Sequence, residues 1–267
     1  MKQPKIVLAL GSGGARGYAH IGVLQVLEEL GVPIYGIAGA SMGSVVGAFY
    51  ASGMGLRYIE SLALHMKRRH LLDFTMPKMG FVTGGKVTEM LHLLTKGLNF
   101  EDLVVKLAVV ATDLENGERV VFQSGPVYQA VRASISIPGI FVPARIDGRL
   151  FIDGGVIDRV PIRVARDMGA DIVVGVDVGL YDQLPPVKSI FDVILQSIDI
   201  MEREIIKMRS QEADFLIRPN VGHISSTAFT DVEECIELGR QAMRDQADAL
   251  LECIRQAEDE REEYQEI

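Results

Sequence analysis

Only two cysteines, Cys235 and Cys253, occur in 267 residues, and that scarcity excludes a disulfide-stapled scaffold. The segment between them reads as one helix, and 18 positions at 1.5 Å each would part them by about 27 Å, too far for a bridge. Neither has metal-ligand spacing, and no D-x-D or H-x-x-H set accompanies the motifs below, so neither metal nor other cofactor is called for. Cations are also scarce. Lys and Arg number 27 against 36 Asp and Glu, a formal charge of −9, which excludes a general nucleic-acid binder because phosphate backbones are held by clustered basic groups. Long apolar runs are missing: residues 6–10 and 172–176 have strand length and fall far short of the roughly 20 residues a bilayer span needs. After two early lysines and a short apolar run comes glycine-rich sequence in place of a small-residue cleavage site, so no signal peptide is expected. The expected location is cytoplasmic.

What is present suits a globular α/β enzyme: 48% hydrophobic residues, 24% charged and 27 glycines. No repeat or linker interrupts the chain, so one domain over residues 1–257 is expected, followed by an acidic, frayed tail over 258–267. Residues 6–10 read as a strand, followed by a glycine loop and a helix over 18–30 that Gly31 stops. A second strand over 34–38 runs into Gly39-Ala40-Ser41-Met42-Gly43 and a helix over 42–51. Two βα units in succession imply a parallel sheet, and the architecture expected is a three-layer α/β/α sandwich with a mostly parallel central sheet. Residues 54–98 read as helix, loop and helix. Their methionines, glycines and broken period make 66–86 a mobile lid over the site, with the basic cluster at 67–70 as either a lipid-head-group contact or a solvated helix end. Strands follow at 107–111 and 119–122 around the Asn116-Gly117 turn, then a helix over 127–134, a loop over 138–143, and strands at 149–152, 172–176 and 215–217. The final helix carries Val232, Ile236, Gly239, Met243, Ala247, Leu250 and Ile254 on one face, with Thr230 and Glu233 as a capping box.

Three places carry chemistry. Gly39-Ala40-Ser41-Met42-Gly43 is a G-x-S-x-G between strand and helix, where flanking glycines permit a strained turn that exposes a nucleophilic serine; the bland alternative is a serine that merely caps a helix. Gly11-Ser12-Gly13-Gly14-Ala15-Arg16-Gly17 ends the first strand and opens the first helix, aiming backbone N–H groups at one point, as a phosphate or an oxyanion requires. A dinucleotide fingerprint fits poorly, because Arg16 or Ser12 stands where a glycine is needed and residues 33–39 offer no acidic partner for a ribose. Asp153-Gly154-Gly155 places a carboxylate at a strand end; alone it would be a turn.

Together, in this order, the three motifs resemble the patatin-like phospholipase family, most closely its small bacterial members, over roughly residues 5–180 including Arg132-Ala-Ser-Ile-Ser-Ile-Pro138. The resemblance implies a serine–aspartate dyad without histidine. Ser41 is then the nucleophile and Asp153 its base. The N–H groups of Gly13, Gly14 and Ala15 form the oxyanion hole, Gly11, Ser12, Arg16 and Gly17 support that loop, and Gly39 and Gly43 shape the elbow. Two departures stand out: Ser12 replaces a frequent glycine, and D-G-G replaces the commoner D-G-A. The expected partner is a lipid or acyl-ester substrate, with transient membrane-surface contact. A carboxylate partly removed from water can accept the serine proton, so the chemistry is coherent on its own terms.

The rivals are specific. His223 follows Ser41 and Asp153 in the chain order of a Ser-Asp-His triad. An acyltransferase or thioesterase would share Ser41, although Ala40 stands where malonyl-transferases usually carry histidine. A lipid-binding regulatory module would keep the pocket without turnover. His20, one turn into the first helix, reads as structural.

Overall fold

The computed structural model describes residues 3–66, 73, 76, 79–179, 186–208, 213–227 and 229–265. Ile6–Leu10 (β1) is IVLAL, with every residue buried, as a strand covered on both faces must be. It pairs in parallel with Ile34–Ala40 (β2) on one side and Ile172–Val176 (β9) on the other. Outward from β9 lies Phe215–Ile217 (β10), and outward from β2 lies Lys106–Asp113 (β4), both parallel. Arg149–Asp153 (β8) and Ala144–Ile146 (β7) continue the sheet antiparallel, and Arg119–Phe122 (β5) pairs antiparallel with β4. The strand order is β10-β9-β1-β2-β4-β8-β7.

Successive side chains point to opposite faces of a strand, and the two faces meet different layers. Ile6, Leu8, Leu10, Ile37, Leu107 and Val109 face the larger core, under Ala19–Glu29 (α1), Met42–Ala51 (α2), Leu56–His65 (α3), Gly85–Leu94 (α4), Val127–Ser134 (α5) and Val232–Arg244 (α8). Val7, Ala9, Ala38, Ala108 and Val110 face a thinner layer built on Ile162–Asp167 (α6). The result is the expected three-layer α/β/α arrangement, unequal in its two helical layers. Each fully buried Val, Leu or Ile contributes about 1.5–3 kcal/mol, so the central strands cannot slip register.

One edge of β4 carries two strands. β2 occupies it from Lys106 to Val110, and β8 occupies it from Ala111 to Asp113; β5 pairs with Val109 to Thr112 along the opposite edge. β2 runs parallel to β4 and β8 antiparallel, so their C-terminal ends face each other, Ala40 opposite Val110 and Asp153 opposite Ala111.

Several sequence expectations are corrected. Within the supposed loop 138–143, Gly139–Phe141 (β6) pairs with Gly80–Val82 (β3) in a two-stranded sheet; three residues are too few to show a period, and the partner lies far away in sequence. Ile190–Met208 (α7), to which no element was assigned, is a 19-residue helix. The single last helix is α8 and Ala247–Gln265 (α9), broken where Gln246 N donates back only three residues, to Met243 O; Met243 and Leu250 are both buried, which carries the apolar period across the break. Cys235 and Cys253 therefore sit on different helices, both as free thiols. Finally, Asp231 occupies the N-cap of α8 without a side-chain cap, and the Thr230 hydroxyl donates to Asp231 Oδ1 instead. The acidic segment expected to fray is helical as far as Gln265.

Helices α1 and α8 touch through glycine. A Cβ on Gly22 would lie 2.0 Å from Ile236 O, and one on Gly239 would lie 2.0 Å from Ala19 O. In an exposed helix Gly→Ala stabilises by about 1 kcal/mol; here Gly239→Ala is expected to destabilise by about 1–3 kcal/mol through overpacking, measured by urea denaturation.

Candidate active site

Ser41 sits where β2 ends and α2 begins, at φ 51 and ψ −124. Such a conformation costs a non-glycine residue on the order of 1–3 kcal/mol and persists only when its surroundings over-determine it. They do so here. Ser41 N donates to Ser134 Oγ at 2.9 Å, and Ser41 O accepts from Ser44 N at 2.9 Å and Ser44 Oγ at 2.6 Å. Gly43 lets the helix start press on β1, since a Cβ there would meet Leu10 O at 2.1 Å, and Gly39 packs in the same way against the Ser44 backbone.

Asp153 ends β8, and the shared β4 edge brings it to the elbow. Ser41 Oγ donates to Asp153 Oδ2 at 2.6 Å, and Gly155 N donates to Asp153 Oδ1 at 2.8 Å. The Asp153 backbone is held by Thr112 Oγ1, 2.8 Å from its O, and by Ser136 O, 3.0 Å from its N. Burial pushes the Asp153 carboxyl up to about 6, against the hydrogen bonds from Ser41 and Gly155 and the Arg159 charge, which pull it down.

The glycine loop is pinned at intervals. Gly11 N donates to Val176 O at 3.0 Å and Ser12 N to Arg159 O at 2.8 Å. Ala15 N, expected in the oxyanion hole, instead donates to Ser226 O at 2.9 Å, so this backbone group is engaged. The N–H groups of Gly13 and Gly14 donate to no described residue. Gly14 adopts φ +57, a conformation that favours glycine. Gly17 packs on the Met42 side chain. Arg16 is fully buried, its Nη2 2.6 Å from Asp199 Oδ2 and its Nε 3.3 Å from Gly13 O; burial lowers its pKa against the pull of Asp199.

Ser41 lies where two cavities meet. One, of about 250 Å³, is walled by apolar side chains including Tyr18, Met42, Phe49, Met90, Phe141 and Phe191. The other, of about 30 Å³, is a small chamber bordered by Ser12, Arg16, Asp153, Asp199 and Glu202 on one hand and by apolar side chains such as Ile137, Val156 and Ile198 on the other. Arg159 links the carboxylates beside it: Nη1 bonds Glu202 Oε2 and lies 3.1 Å from Asp199 Oδ1, and Nε is 3.8 Å from Asp177 Oδ1.

Among the described residues, no histidine side chain joins Ser41 and Asp153. His223 is exposed, its Nε2 2.9 Å from Glu234 Oε1, and borders neither cavity. His20 is buried with Nε2 2.8 Å from Gly11 O; burial lowers its pKa to about 4, so the neutral ring donates that bond. Of the segment 66–86, Met66 lines the apolar cavity and Asp73 accepts from Gly84 N and Gly85 N at the start of α4. Residues 67–72, including the basic cluster at 67–70, lie outside the described residues, as do 74–75 and 77–78. Sequence reasoning missed Ser134, Arg159, Asp199, Glu202 and Ser226. Arg159, six residues after Asp153, was within reach of a motif search; Asp199 and Glu202 share one face of α7 by an i, i+3 spacing that many solvated helices have.

The sequence profile of the family described as patatin-like phospholipase matches residues 8–166. An uncharacterized NTE family protein of Mycobacterium tuberculosis is 43% identical over 176 residues, which cover 65% of this chain and 49% of that protein. Lysophospholipase NTE1 of Cryptococcus neoformans is 34% identical over 188 residues, 68% of this chain and 12% of its own length. The chain thus spans about half the length of the first of these relatives and far less of the second. Among solved structures, VipD from Legionella pneumophila superposes with a TM-score of 0.69 at 16% identity, covering 93% of this chain and 67% of that one, a likeness of fold.

The two departures in the motifs are coupled in space. A Cβ on Gly155 would lie 2.5 Å from Ser12 Oγ and 2.7 Å from Ser12 Cβ, so a side chain at position 12 fills the space that an alanine at 155 would need. Gly155→Ala is expected to lower Tm by several degrees, about 1–3 kcal/mol of overpacking, and the double variant Ser12→Gly/Gly155→Ala to recover most of that loss in a thermal melt. Additive losses would show that the two positions do not compete.

Proposed function

The chain belongs to the patatin-like phospholipase family, and on that premise we propose that it is a serine lipid acyl hydrolase that cleaves carboxylic esters of (lyso)phospholipids or related acyl esters through Ser41 and Asp153. The observation that carries the reading is the 2.6 Å hydrogen bond from Ser41 Oγ to Asp153 Oδ2, with Ser41 lining an apolar cavity. Such a cavity suits an acyl chain, and an ester carbonyl beside Ser41 would stand between that chain and the small chamber. The fungal lysophospholipase among the relatives supports the substrate class. A cytoplasmic location and transient contact with a membrane surface belong to the same proposal; no described helix is long and apolar enough to cross a membrane.

In this mechanism the Asp153 carboxylate takes the Ser41 proton as Oγ attacks the carbonyl. The oxyanion is received by the N–H groups of Gly13 and Gly14, which donate to no other described residue, and losing one such donor costs on the order of 3 kcal/mol. The alcohol leaves with the proton from Asp153, and water then discharges the acyl-enzyme. His223 against Glu234 at the surface favours the dyad over a triad.

Ser41→Ala is expected to abolish both ester hydrolysis and fluorophosphonate labelling with the circular dichroism spectrum unchanged. Asp153→Asn should lower kcat by several orders of magnitude and His223→Ala by less than about tenfold; a dead histidine variant beside an active asparagine variant would falsify the dyad.

Because Asp153 must be ionised, kcat/KM should fall as pH drops through about 6. The stability effect has the opposite sense. A carboxyl whose pKa is raised by folding contributes stability below its ordinary range, near 3.8, and loses it as pH rises through about 6. Asp153→Asn should therefore melt at or above the wild-type temperature at pH 8, with the difference vanishing near pH 4.

A further inference from the structure

Three polar groups around the small chamber have no partner among the described residues. Arg16, with 1% of its side chain exposed, leaves Nη1 unpaired. The Ser12 hydroxyl makes no hydrogen bond, and Glu202, whose Oε2 is held by Arg159, accepts none at Oε1. A buried water typically needs two to four polar partners and room for about one probe sphere, and a chamber of about 30 Å³ bordered by Ser12, Arg16 and Glu202 offers both. Its remaining walls include Ser41 and Asp153, and Ser41 also lines the apolar cavity. Glu202 comes from α7, beyond residues 8–166 where the family profile ends.

We propose that this chamber seats the water that deacylates Ser41, held by Ser12, Arg16 and Glu202, with Glu202 as a positioning residue and the chamber's size as the reason that the acyl group passes to water in preference to a larger alcohol. The inference rests on the dyad reading. With the acyl chain in the apolar cavity, the water oxygen forms the new bond to the carbonyl carbon while one of its protons passes to Asp153. The bond from that carbon to Ser41 Oγ then breaks, the serine oxygen takes the proton back from Asp153, and the fatty acid leaves with the other water proton as its hydroxyl. Burial, against the pull of Arg159, pushes the Glu202 carboxyl up to about 8, so at neutral pH its free oxygen can either donate to the water or accept from it. The neighbouring Asp199 holds Arg16 at 2.6 Å and Arg159 at 3.1 Å, fixing both arginines beside the chamber.

The two half-reactions separate this role from a structural one. Acylation is read as p-nitrophenolate release from p-nitrophenyl butyrate with enzyme in excess, and deacylation as decay of the butyryl adduct on Ser41 by intact-mass spectrometry. Glu202→Met, which fills the space without a polar group, should leave acylation within about twofold and slow deacylation about tenfold or more. Glu202→Gln, which keeps a hydrogen-bonding oxygen but cannot ionise, should deacylate within about threefold of wild type. Slowing of both steps alike in both variants would mean that only the Arg159 ion pair matters and would overturn the proposal, as would wild-type deacylation in Glu202→Met. Should Glu202→Met fail to fold, Ser12→Gly decides: by widening the chamber it should raise the ratio of ethyl butyrate to butyrate several-fold in added ethanol, and an unchanged ratio overturns the proposal. If the wild-type protein forms no adduct on Ser41 at all, it is the dyad reading that fails.

Discussion

The site depends on one edge of β4, where two strands arrive from opposite directions and stop one residue apart. Pairing of β2 with Val110 and of β8 with Ala111 sets the separation of Ser41 and Asp153 by backbone hydrogen bonds where β2, β4 and β8 are buried. A slip of either strand would turn its side chains to the wrong face. The dyad geometry therefore inherits the rigidity of the core, and neither residue needs a long side chain to find the other.

That arrangement stores unfavourable energy. The positive φ at Ser41 costs on the order of 1–3 kcal/mol, and raising Asp153 from 3.8 to about 6 corresponds to ~3 kcal/mol against its charged form. The first cost comes from the tight strand-to-helix turn and the second from burial of the carboxyl; in the proposed mechanism the turn presents the hydroxyl to the cavities and the dry carboxylate is a stronger base. Hydrogen bonds accepted by Ser134 and Ser136 and donated by Thr112 and Gly155 hold the two residues in place, so their support is mostly hydroxyl and backbone groups from α5 and its following loop, β4 and the D-G-G turn.

Helix α7 joins this centre from outside the segment that matches the family. Its Phe191 and Leu195 line the apolar cavity, and its Asp199 and Glu202 meet Arg16 and Arg159. One helix face thus contributes both to the apolar cavity and to the charge balance beside the glycine loop. A buried ion cluster of this kind is weak evidence for stability, because desolvation offsets much of its attraction; its value lies in fixing where two arginines point.

The linear order of residues determined the βα rhythm, because buried strands such as IVLAL and glycine-stopped amphipathic helices reveal themselves by local period, and it determined the three motifs, because an elbow, a glycine loop and a strand-end aspartate are each built from neighbours in sequence. It did not determine β3 paired with β6, whose three-residue strands are too short to carry a period. Nor did it single out Glu202, which looks like any helix carboxylate until Arg159 and Gly155 are placed beside it. The loop shows the same division within seven residues: its glycines were legible as a donor array, yet only the fold showed that Ala15 N is engaged by Ser226 O while the N–H groups of Gly13 and Gly14 find no partner among the described residues. Local propensity acts within a turn or two of chain, whereas a hydrogen-bond partner more than 200 residues away is chosen by the packing of the whole domain.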